Sequence, residues 1–186
     1  MKTKVFKPLF TSALIFFVCA VFARGESPEM PDIPVNERSN LIEYAGVVQV
    51  EGTAEELYER CLEWINEFFP NPHGVVRVRD NENLIIEGLH RIRYMNQLED
   101  GTDILSGHVQ YEFKIQFRDG RYRYEITNFA DRKVSRVPLE RWLDKDDPAH
   151  NKNTPSHLTQ IDAFIKDLID NKTAAMQPEE EYIEEW

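Results

Sequence analysis

The chain has 186 residues, with 22 basic and 33 acidic side chains and a net charge of −11. That length supplies one ordinary domain with its own core, and two cysteines, Cys19 and Cys61, are too few for a disulfide framework. The acidic balance argues against DNA, RNA or an anionic lipid surface as partner, because each would be repelled over most of the molecule.

The first residues are not expected to belong to the domain. Lys2, Lys4 and Lys7 make a basic start, and the apolar stretch from Leu9 to Phe22 is too short and too near the N-terminus to read as a membrane span. With Val21-Phe22-Ala23 at its end, the segment 1–23 reads as a secretory signal peptide. An uncleaved short anchor and a lipid-modified Cys19 are the alternatives. The second is disfavoured by Phe16-Phe17-Val18, which stand where lipoprotein signals want a small residue. Cleavage after Ala23 removes three lysines and no acid, taking the net charge to −14. It leaves Cys61 as the single thiol, expected to be a small buried hydrophobe on a helix face. Residues 24–40 carry Pro28, Pro31 and Pro34, many charges and no periodicity, and read as a flexible leader, with order beginning near Leu41.

A domain is expected over 41–173. Its first strand spans Tyr44 to Glu51. Thr53 with Glu56 three positions on is the capping-box pattern, opening a helix that Pro70 and Pro72 stop after Phe69. Leu57, Cys61, Trp64, Ile65 and Phe68 share one face at helical spacing, with Glu55, Glu59, Glu63 and Glu67 opposite. Val75 to Arg79 is a short strand, and Asp80 to Asn83 a turn that is either a three-residue loop or a bulge. Leu84 to Met95 is a long strand with Ile86, Ile92 and Tyr94 inward and Arg91 and Arg93 outward. A polar loop through Gly101 follows, and a reversal that sets Ile86 against Phe113 and Ile92 against Gly107 keeps apolar residues together.

The strongest local signal is the pair of alternating runs, Val109–Phe117 and Arg121–Phe129, joined at Asp119-Gly120. A two-residue Asp-Gly loop favours a type I′ hairpin, since both central residues must tolerate positive φ. It sets Phe117 against Tyr122, Ile115 against Tyr124, Phe113 against Ile126 and Lys114 against Glu125. A one-residue slip would turn every apolar side chain to water. An arm over 130–154 follows, polar apart from Leu139, Trp142 and Leu143, which suit one docked helical turn. Thr154-Pro155 then starts a second amphipathic helix over 155–172. Residues 174–186 form an acidic tail, a solvated end by default. The sum is an α+β layer, one five-stranded antiparallel sheet with two helices on one face in the order β-α-β-β-β-β-α.

Gly46-Val47-Val48-Gln49-Val50, the segment Leu57-Tyr58-Glu59-Arg60 with Trp64, and above all the run from Asp119-Gly120-Arg121-Tyr122-Arg123-Tyr124 to Phe129 resemble the DUF4468 family over about Tyr44 to Phe129. The resemblance implies an exported bacterial protein of the periplasm or envelope, with a fold like that of the TATA-box-binding protein. That family has no assigned activity, so no catalytic residue transfers. DNA binding by analogy of fold is rejected, because export and the negative charge oppose it and a fold is not a function.

No phosphate loop, nucleophile elbow or paired-histidine zinc motif occurs. The register above sends His90 to the covered side and His108 to the open side, where they cannot share a zinc; no metal or cofactor is expected. The candidate binding face is the open side of the sheet, carrying Arg91, Arg93, Lys114, Gln116, Arg121 and Arg123 among Glu87, Glu112 and Glu125, with Arg77 and Arg79 joining if the second strand keeps phase. It could dock an anionic partner, the chain's own tail included, or simply hold Arg–Glu pairs on a wet sheet. The function expected is a non-enzymatic module binding a protein or glycan of the cell envelope. The alternatives are a small periplasmic hydrolase using Asp144, Asp146, Asp147 and His150 of the arm, or a self-associating structural module.

Overall fold

A computed structural model describes residues 29–132 and 135–178. The signal peptide, Cys19 and the acidic tail from Glu179 onward lie outside the described residues. Among these residues six strands make one antiparallel sheet: β1 (Tyr44–Gln49), β2 (Val76–Asp80), β3 (Ile85–Gln97), β4 (Asp103–Arg118), β5 (Arg121–Arg132) and β6 (Arg136–Pro138). Their order is β1-β5-β4-β3-β2, and the short β6 pairs with β5 beyond the end of β1. Helix α1 (Ala54–Phe68) lies over β4 and β5, while α3 (Thr154–Ala175) lies over β3 and against α1. A single turn, α2 (Pro72–Val75), leads into β2. The α+β layer is the one the sequence predicts, with β6 added from within the arm.

The capping box forms at α1: the Glu56 amide donates to Thr53 Oγ1 at 3.2 Å, and the Thr53 amide donates to Glu56 Oε2 at 2.8 Å. Leu57, Tyr58, Cys61, Trp64 and Ile65 are buried against the sheet. In β4 the odd positions Val109 to Phe117 are all buried, while Gln116 and Arg118 are exposed. The Asp-Gly hairpin has the predicted register, including Lys114 opposite Glu125.

The β3–β4 register differs from expectation by two residues. Ile86 faces Ile115 and Ile92 faces Val109, while Phe113 faces Gly88 and Gly107 faces Tyr94. The parity is unchanged, so the faces are as predicted. The reason is steric. A Cβ on Gly88 would run into the Phe113 ring, and one on Gly107 into Tyr94. Gly46 stands likewise opposite Tyr124, whose hydroxyl would lie 2.8 Å from an added Cβ. Three large rings thus lie across three strand positions that lack a side chain, a pairing that covers exposed backbone with aromatic surface.

Strand β5 runs past Phe129 because a bulge at Asn128 (φ 57°) absorbs one residue. Tyr122 and Ile126 point inward before it; Phe129 and Asp131 do so after it. Tyr94 donates to the buried Asp131 carboxylate at 3.0 Å. A second irregularity lies between Val76 and Val78 in β2, after which the turn 81–84 closes with Leu84 at φ 53°.

The expected leader is more ordered than the sequence suggests. Within the expected leader, Val35 bridges Ile42, the Asn36 side chain donates to Glu43 at 2.8 Å, and Met30 and Ile33 pack on the core. Their apolar side chains are too few and irregularly spaced to register as a pattern. In the arm, a 3-10 turn at Leu139–Trp142 buries Leu139 and Trp142, as predicted. Helix α3 extends three residues beyond Lys172 to Ala175, because Lys172 itself is on the buried side.

Candidate functional site

The helices cover one face of the sheet and leave the other to solvent. On that open face β1 presents Val47, β5 presents Arg121, Arg123 and Glu125, β4 presents Glu112, Lys114, Gln116 and Arg118, and β3 presents Glu87, Arg91 and Arg93. Arg91, Arg93, Lys114, Gln116, Arg121 and Arg123 are all on this side, but they do not form one cluster. Arg91 stands opposite Gln110 and Arg93 opposite His108, whereas Arg121 stands opposite Arg118 and Arg123 opposite Gln116. Eight residues of β4 separate the rows of Arg91 and Arg121, about 27 Å at strand rise.

Between these two basic ends lies a mixed stretch. Lys114 Nζ donates to Glu87 Oε1 at 2.7 Å, and Asn128 donates to Glu112 Oε2 at 2.7 Å. A shallow groove of about 360 Å³ runs here, lined by Arg77, Glu87, Leu89, Glu112, Lys114 and Asn128. Arg77 therefore does reach this face; Arg79 does not, because the register shift between Val76 and Val78 breaks the phase of β2 and sets Arg79 opposite the inward Ile86, away from the groove. The mutual pairing of its charges is what the wet-sheet reading predicts, each exposed pair contributing roughly 0.2–1 kcal/mol.

The hairpin end is different. A second groove of about 270 Å³ is lined by Val47, Gln116, Arg118, Arg121 and Arg123. Val47 is 58% exposed, the most exposed large hydrophobe among the described residues. Arg118 and Arg121 are direct cross-strand neighbours, so two like charges oppose each other. Glu125 is 3.6 Å from Arg123, with both side chains solvent-exposed, and Asp119 of the turn accepts from the Ala54 amide at 2.9 Å. Among the described residues, the groove itself is lined by three arginines and no acid.

The covered side holds the ionisable groups that sequence reasoning missed. Lys172 is 1% exposed. Its Nζ lies 3.5 Å from the centroid of the Tyr124 ring and 5.0 Å from that of Tyr122. Burial pulls the ammonium down to about 7, and pushes the neighbouring Cys61 thiol up to about 12. The adjoining cavity, about 10 Å³, holds one water at most. The signal was present: Lys172 continues the Ile161, Ile165, Leu168 stripe. His90 is inward, between the Phe69 and Phe164 rings, and burial lowers its pKa and keeps it neutral. His108 lies on the open face, as the parity requires.

In the arm, Asp147 accepts from Arg141 at 2.8 Å and from the Ala149 amide at 2.7 Å, and the Arg141 bond holds its carboxyl below the usual range. Asp144 accepts from the Asp146 amide, and His150 Nδ1 contacts the Trp142 carbonyl at 2.7 Å. These bonds shape the arm itself. Among the described residues no three His, Cys, Asp or Glu side chains come together in a metal-binding group, and no helix is long and apolar enough to cross a membrane.

Two crystal structures share this architecture. A TBP-like protein from Parabacteroides distasonis superposes with a TM-score of 0.61 at 14% identity, over 77% of this chain and 96% of that one. A DUF4468 family protein from Bacteroides ovatus gives 0.61 at 13% identity, over 77% and 90%. At such identities the likeness establishes the fold alone. No curated protein sequence matches the chain. A family profile described as a domain of unknown function (DUF4468) with TBP-like fold matches residues 44–131, which span β1 to the penultimate residue of β5 and hold both basic ends of the open face. By sequence, the domain at 44–131 matches the DUF4468 family, and its fold is the TBP-like one named in that family's description.

Proposed function

We propose that this protein is an exported, non-enzymatic binding module that docks a protein or glycan of the bacterial cell envelope on the open face of its sheet. The observation that carries the reading is the hairpin-end groove, where three arginines and an exposed valine converge, with Glu125 paired to Arg123 at 3.6 Å and Asp119 turned to the Ala54 amide. Export rests on the basic start, the apolar run to Phe22 and Ala23. Asp144, Asp147 and His150 of the arm are engaged in shaping their own loop, which favours a binding role over a hydrolytic one.

A photo-cross-linking residue at Val47, introduced into the protein in its native cell, is expected to trap one discrete envelope component. The same residue at Glu59, on the helical side, is expected to trap none. Charge reversal of Arg121 and Arg123 to Glu should abolish the Val47 adduct without lowering the melting temperature. Equal adducts at Val47 and Glu59, or an adduct indifferent to charge reversal, would overturn the proposal. N-terminal sequencing of the envelope-associated protein should begin at Arg24; recovery in the cytoplasm with Met1 retained would remove the export component.

A further inference from the structure

We propose that residues 179–186 of this same chain, Glu-Glu-Glu-Tyr-Ile-Glu-Glu-Trp, dock on the hairpin-end groove and compete there with the partner. The inference rests on the open face being a docking surface and adds how access to it is regulated.

Charge complementarity is the first support. Arg118, Arg121 and Arg123 crowd one corner with like charges opposed across the strands. The segment carries five glutamates, interrupted by Tyr182 and Ile183 and followed by Trp186. Its apolar side chains suit exposed Val47, which stands opposite Arg123.

The second support is where the described chain ends. Met176 is buried, and its carbonyl accepts from Arg60 Nη1 at 3.2 Å. The same Nη1 donates to the Glu51 carbonyl at 2.8 Å. Next along the chain, the Val50 amide donates to the Gly120 carbonyl at 3.0 Å, and the Gly120 amide donates to the Gly52 carbonyl at 2.9 Å. Gly120 sits between Arg118 and Arg121. One arginine side chain and one turn therefore separate the end of α3 from the arginine corner. Tyr122, adjacent to Arg121 but pointing inward, also touches Thr173 near that end of α3 at 3.2 Å. Passing from the helix layer to the open face takes about 15 Å, from the layer spacing, and eight extended residues reach about 26 Å.

The third support is what the neighbouring surface refuses. The other side of α1 beside Met176 presents Glu55, Glu56, Glu59 and Glu63 around Arg60, which would repel an acidic segment. Exposed ion pairs are individually weak. Tethering supplies an effective concentration of about millimolar order, so the contact is expected to hold at low salt and to yield to a stronger ligand.

The test compares amide NMR spectra of the ¹⁵N-labelled protein with and without residues 179–186. Shift differences should cluster at Val47, Gln116, Arg118, Arg121 and Arg123 and fade at high salt. A synthetic peptide of the segment, added to the shortened protein, should restore them saturably. The Arg118→Gln/Arg121→Gln/Arg123→Gln variant should weaken that peptide at least about tenfold with its melting temperature unchanged. No differences at these amides, or equal binding of a peptide with all five glutamates replaced by glutamine, would overturn the inference. The two ideas fail separately: loss of the tail contact with a persisting Val47 adduct removes the regulation and leaves the docking surface.

Discussion

Replacing Lys172 by methionine should stabilise the protein and remove most of its pH dependence between pH 7 and 9. The side chain is 1% exposed and its amine titrates near 7, against 10.5 in an unfolded chain. Below about pH 7 both states carry the proton, and the full penalty of burying the charge is present. Between 7 and 10.5 the unfolded chain holds a proton that the folded chain has released, so stability rises with pH. The rise from pH 7 to 9 is about 2 kcal/mol at most, since the Tyr124 ring 3.5 Å away favours the ammonium and draws its midpoint upward. Cys61 acts in the opposite direction: its folded thiol stays protonated to about 12 while an unfolded thiol ionises from 9.0, so above pH 9 stability falls on its account and the curve flattens. Methionine keeps the unbranched stem and discards the charge, for an expected gain of roughly 2–4 kcal/mol at pH 7. Urea unfolding of both proteins at pH 7, 8 and 9 measures this. Parallel curves, or a Lys172→Met protein weaker at pH 7 by about 1 kcal/mol or more, would refute the account of a desolvated amine.

Two substitutions probe the sheet. Gly88→Ala should cost about 1–3 kcal/mol, because the new methyl meets the Phe113 ring; adding Phe113→Leu should recover part of it, and strict additivity in the double variant would count against the contact. Asn128→Val should cost about 1–2 kcal/mol through its positive φ, while Asn128→Gly should cost only its bond to Glu112; thermal melts of the pair separate conformational strain from side-chain loss.

The sequence was most legible where one rule had no competitor. Asp119-Gly120 and the alternation around it left a single register, and Thr53 with Glu56 left a single helix start. The β3–β4 pairing was legible in parity and not in phase, because apolar matching treats a glycine as an empty position and gives no credit for a ring lying across it. The run Arg121–Phe129 reads as one alternation, which would turn Phe129 outward; the bulge at Asn128 turns it inward, and that bulge is a choice of backbone dihedral that an asparagine permits without announcing. Lys172 escaped because a lysine near a helix C-terminus ordinarily satisfies the terminal carbonyls, and only its spacing from Leu168 hinted otherwise. On the open face, residue identity and direction were readable from period two. The separation of Arg91 and Arg93 from Arg121 and Arg123 was not, because it depends on which residues of β4 each stands beside.

The ring-over-glycine contacts at Gly46, Gly88 and Gly107 also bear on how such a domain can diverge. They join β1 to β5 and β3 to β4 from the covered side, so strand alignment is keyed chiefly by interior shape. Solvent-facing positions can then be exchanged wholesale without moving a strand, which lets one scaffold offer unrelated surfaces. The same architecture recurs in crystal structures only 13–14% identical to this chain.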